Sequence, residues 1–78
     1  MSMEYFFVNS SMVAKLGFDA ETGEMEAHCH KGHRVSVYGD EANKVSEALF
    51  QAVLGAESVG KAINMYIKPQ FAHRYKGL

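Results

Sequence analysis

The chain has 78 residues, 47% of them hydrophobic and 22% charged, with a net charge of −1. That suits one small domain over residues 1–78 and excludes disorder. A single cysteine excludes an internal disulfide framework and points to a reducing, cytoplasmic home. No apolar run approaches the length of a membrane span, and the N-terminus lacks the basic, apolar and small-residue order of a secretory signal.

In chain order, Met3 to Val8 (MEYFFV) is aromatic and extended, and reads as an added strand or a flap over the core. From Ser11 the pattern alternates. Met12, Ala14, Leu16 and Phe18 fall on one side, and Val13, Lys15, Gly17 and Asp19 on the other, which predicts a half-buried strand. Ala20 to Gly23 is turn chemistry. Met25, Ala27 and Cys29 then alternate with Glu24, Glu26, His28 and His30 as a second strand. Val35 and Val37 alternate with Arg34, Ser36 and Tyr38 as a third.

Asp40 suits a helix N-cap, and Ala42, Val45, Leu49, Ala52 and Val53 recur at helical spacing. Gly55 ends this helix by adopting a left-handed conformation. Ser58 caps a second helix with Val59, Ala62, Ile63, Tyr66 and Ile67 as its apolar stripe, and Pro69 stops it. The expected fold is α+β: a three-stranded antiparallel sheet, with an extra N-terminal strand as an option, followed by two helices packed on one face. The other face is left to water or a partner.

The stretch EMEAHCHKGHR, residues 24–34, holds three of the four histidines and the only cysteine. Hairpin register decides whether these converge on a metal. A three-residue loop, His30-Lys31-Gly32, with Gly32 in a left-handed bulge position pairs Ala27 with Val35 and Met25 with Val37. His28 then lies beside Arg34 on the open face, Cys29 points to the core, and His33 lies across from Cys29. A zinc site needs about four ligands in tetrahedral array, and these do not converge. No metal, cofactor or catalytic set is expected; Cys29 reads as a small core residue, and no nucleophile–base or phosphate-loop motif stands out.

The run Val8 to Asp19 (VNSSMVAKLGFD) resembles the opening of the KTSC domain, a small bacterial and phage-associated module named after the C-terminus of some lysyl-tRNA synthetases. Ser10, Ser11, Gly17, Phe18 and Asp19 stand at the family's serine pair and Gly-Tyr-Asp. Gly32 matches its hairpin glycine. Ala56, Ser58 and Gly60 match its Ala-x-Ser-x-Gly, Asn64, Ile67 and Lys68 its Asn-x-x-Ile-Lys, and Phe71 its usual aromatic. The resemblance covers residues 8–71 and leaves 72–78 as a basic and aromatic tail. Val35 and Val37 replace the family's Tyr-x-Tyr, Cys29 replaces a phenylalanine, and the Val-Pro near Asp40 is missing. The resemblance implies the same three-strand, two-helix fold and, from a suggestion made for the family, RNA binding.

Two functional readings follow. In the first, the chain is a non-enzymatic interaction module that binds a protein or complex, including a second copy of itself. A phage-type inhibitor such as an anti-CRISPR is one form. Its surface would use the aromatics Tyr5 and Phe7 and the acids Glu21, Glu24 and Glu26. In the second, the chain binds RNA or another nucleic acid through Lys15, His28, Arg34 and Tyr38 on the open sheet face, with Lys68, Arg74, Tyr75 and Lys76. All nine acids lie within residues 1–57, whereas residues 58–78 carry four bases and no acid. The slight overall negative charge favours the protein partner.

Overall fold

A computed structural model describes residues 3–32 and 34–77. Five strands form one antiparallel meander in the order β1 (Glu4–Phe7), β2 (Val13–Asp19), β3 (Glu24–Cys29), β4 (Arg34–Tyr38) and β5 (His73–Gly77). Between β4 and β5 the chain forms helix α1 (Glu47–Leu54) and helix α2 (Val59–Ala62), which runs on as a π-helical turn over Ile63–Ile67. The fold is α+β with helices on one sheet face, as expected, but the sheet is wider. The N-terminal aromatic segment is the added strand. The C-terminal segment, read from sequence as a tail, is an edge strand. Its alternation is hidden because neither of its faces is uniformly apolar.

Local chemistry sets the turns. The Asp19 carboxylate accepts from the N–H groups of Glu21 and Thr22 at 3.0 and 3.4 Å, and Gly23 N–H donates to the Asp19 carbonyl at 2.8 Å. Gly23 has φ of +74°, and a Cβ there would stand 2.6 Å from Lys44 Cα. Only glycine lets the 40–46 loop close on this turn, where Val45 N–H reaches the Gly23 carbonyl at 2.9 Å. A bulge between Val13 and Lys15 shifts the phase of β2. Val13 therefore joins Leu16 and Phe18 in the core, and Met12, expected inward, is exposed.

Asp40 caps a turn rather than a helix, accepting from Ala42 and Asn43 N–H at 3.0 and 2.8 Å. Helix α1 starts later, where the Ser46 hydroxyl accepts from Leu49 N–H at 3.1 Å. Gly55 closes it at φ of −90°, so the left-handed end does not form. Ser58 caps α2 as expected, accepting from Lys61 N–H at 3.3 Å. Lys68 N–H bonds the Ile63 carbonyl at 2.9 Å, the wide spacing of a π turn.

The core lies between sheet and helices. Leu16, Phe18, Met25, Ala27 and Tyr38 meet Val45, Phe50, Val53, Val59, Ile63 and Ile67, with Phe18 stacked on Phe50 at 4.7 Å. Strand β3 meets β4 through Met25 with Tyr38, Glu26 with Val37 and Ala27 with Ser36. This corrects the expected hairpin register by one residue. The expectation assumed a single buried face, so it matched Val35 and Val37 to Met25 and Ala27. Instead Tyr38 takes the core position, stacked on His73 at 4.7 Å. Val35 and Val37 are each 1% exposed on the opposite face, in register with Lys76 and Arg74 of β5. Adding β5 buries the sheet centre on both sides.

Candidate binding surface on the sheet face away from the helices

Strand pairing lays out this face in rows. Tyr5, Gly17, Glu26, Val37 and Arg74 align across all five strands. Beside them run Phe7, Lys15 and His28, and on the other side Asp19 and Glu24. Gly17 makes room for the row: a Cβ there would lie 2.8 Å from the Tyr5 ring and 2.9 Å from Met3 Cγ. The Tyr5 ring thus lies over the backbone of β2, with Lys15 Nζ 4.7 Å from its centroid and His28 edge-on at 5.5 Å.

Glu26 is the hub. It is 2% exposed and accepts from Tyr5 Oη at 3.2 Å and His28 Nε2 at 2.8 Å, and it pairs with Lys76. Burial pushes its carboxyl up, but hydrogen bonds from Lys76 and His28, the Lys76 charge and the Tyr5 hydroxyl outweigh this and hold it below the usual glutamate range. The same hydrogen bond raises Lys76 above the ordinary lysine value. Burial, followed by the Glu26 charge, raises the Tyr5 phenol. Arg74 pairs with Glu24 in parallel. The cations of β5 are therefore matched by the acids of β3.

The candidate residues separate accordingly. Lys15 and His28 are neighbours in register, as expected. Arg34 is not beside them. The one-residue register change puts it on the helix-bearing face, over the Tyr75 ring at 4.2 Å. Tyr38 is not a stacking platform on the open face, since it is 2% exposed in the core and burial raises its phenol. Glu26 is not a solvated acid, because the row above buries it. Glu24 is half-buried and Glu21 exposed; Tyr5 and Phe7 are exposed at 46% and 85%. Lys68 stands at the end of the π turn, on the helix side of the sheet.

Among the described residues no group of three or more His, Cys, Asp or Glu side chains is placed to hold a metal. His28 is engaged by Glu26, and His30 Nε2 lies 2.8 Å from the Ser10 carbonyl. Cys29 shares the helix-side face with Ala27, but it stands past the core at the sheet end and is exposed rather than buried. His33 lies outside the described residues.

No family model matches the chain, and no curated protein matches it. Its structure, however, superimposes on the crystal structure of a KTSC domain protein from Yersinia pestis with a TM-score of 0.81. The match has 26% identity and covers 97% of this chain and 100% of the other. The chain has a KTSC-like fold. The likeness runs beyond residues 8–71, so the β1 and β5 edges belong to the KTSC-like unit rather than lying outside it. In this KTSC-like fold the sequence pattern of the Ser-Ser and Gly-Phe-Asp positions includes Gly17, whose missing side chain admits Tyr5. The Glu26 hub was not visible beforehand, because an alternating acid on a strand reads as solvent-facing until its partners on β1 and β5 are known.

Proposed function

We propose that the chain is a non-enzymatic protein-binding module that takes an extended segment of its partner along β1. One observation carries this reading: β1 is an edge strand of sequence EYFF whose Phe7 is 85% exposed, without the lysine or proline that usually guards an edge. An open groove beside it is lined by Phe6, Phe7, Val8, Leu54 and Val59. A strand added there gains main-chain hydrogen bonds and places alternate side chains in that groove. The opposite edge is different. Strand β5 carries Arg74, Lys76 and His73, charges that discourage strand addition.

The nucleic-acid reading draws less support. Arg74, Lys76 and His28 are paired with Glu24 and Glu26, and free cations are what release counterions on binding phosphates. The test is capture of partners with the wild-type chain and with Phe7→Ser, followed by reconstitution from purified components. A protein that binds the wild type at least tenfold more tightly than Phe7→Ser supports the reading. Equal binding by both removes β1 as the site. Solution molar mass across a concentration series tests the version in which the partner is a second copy.

A further inference from the structure

A second site, independent of β1, opens between the ends of β3 and β4 and the π turn. Its volume is 140 Å³, close to that of the roughly 150 Å³ apolar cavity that accepts a benzene-sized group. Val13, Ala27 and Ile63, all buried, supply the apolar walls. Gly60 leaves the helix side open: a Cβ there would have Met12 Sδ, 4.0 Å away, as its one close neighbour. Gly60, Asn64 and Lys68 are spaced four residues apart, so they share one row of the helix and its π extension. Such π turns are frequent at functional sites.

The polar lining has one sign. Among the described residues Lys68 is the single charged side chain of the pocket, and no acid lines it. Neither the Lys68 ammonium nor the Asn64 carboxamide makes a hydrogen bond or ion pair among the described residues. Ser36 and Tyr38 line the same space. At Met12 and Cys29 the pocket adjoins a second cleft lined by His30 and Lys31, again with no acid among the described residues. The geometry points to a binding site for a small carboxylate with one compact apolar group. The ring or branched chain sits against Val13, Ala27 and Ile63, and the carboxylate is held by Lys68 and Asn64. Cys29, exposed at the mouth, reports occupancy without taking part in binding.

The test is titration of the isotopically labelled full chain with benzoate, with benzamide as the neutral isostere. Benzoate should give saturable shifts at Ser36, Gly60, Asn64 and Lys68 and slow the alkylation of Cys29. Benzamide should bind about tenfold more weakly, and Lys68→Gln should weaken benzoate by about tenfold. Lys68 is exposed, so this variant keeps the fold, which its otherwise unchanged amide spectrum verifies. Gly60→Leu, filling the pocket from the helix, should abolish the shifts. The absence of saturable shifts with benzoate overturns the proposal. So does equal binding of benzamide, or unchanged affinity in Lys68→Gln.

Discussion

Glu26 gathers the far face of the sheet around one carboxylate, and its surroundings fix how stability depends on pH. Its native pKa is depressed, so its contribution is present above the unfolded carboxylate value and is lost as pH falls through the lower native one. Lys76 is raised, so its contribution is complete below the unfolded lysine value and is lost as pH rises through the native one. Tyr5, also raised, acts in the same direction on the alkaline side. Glu26→Gln removes the charge common to all three. It should cost about 1.5–3 kcal/mol at neutral pH, the range for hydrogen bonds to a charged group, and flatten both limbs of the profile. Urea unfolding of both proteins from acid to alkaline pH checks this. An unchanged acid limb would mean that Glu26 is not the titrating group. Gly23 gives a second prediction at this scale. Gly23→Ala should lose about 2–3 kcal/mol, because it adds positive-φ strain to a contact with the Lys44 backbone. A midpoint shift in denaturant measures it.

At the level of elements, caps and packing carry predictions of different size. Ser46→Ala and Ser58→Ala should each cost about 1 kcal/mol by leaving a first-turn N–H without its acceptor. Phe50→Ala should cost about 3–5 kcal/mol, since it empties the centre of the core and the stack on Phe18. Thermal or denaturant unfolding of these variants separates the two classes. The sequence was most legible where a local signal sufficed. The Ser58 cap, the helix end before Pro69 and the strand alternation of β3 all stand where the residues put them. It was least legible where a partner far along the chain decides the outcome. The one-residue register of β3 on β4 depends on β5, about forty residues on, which gives Tyr38 its His73 and flanks Val35 and Val37. The helix starts at Ser46 rather than Asp40 because the preceding backbone is bonded elsewhere: Asp40 and Asn43 bond each other, and Val45 N–H reaches the Gly23 carbonyl at 2.9 Å, a long-range contact no local pattern reveals. For the same reason the candidate surface was half legible: Lys15 and His28 stand together, but Arg34 and Tyr38 face the other way.

Over the whole molecule, the asymmetry of charge along the chain is resolved by folding. The acid-free segment 58–78 returns at its end as β5 and sets Arg74 and Lys76 against Glu24 and Glu26 of β3. The molecule thereby turns a basic segment into structural counter-ions and leaves β1, with its exposed Tyr5 and Phe7, as the edge without a basic residue. These cations are already satisfied, and titration of labelled protein with a mixed single-stranded RNA pool at low salt checks this. No saturable amide shifts are expected at Lys15, His28, Arg74 or Lys76, and no binding that weakens as salt rises. Salt-dependent shifts at those four residues would contradict it and make this face a nucleic-acid surface.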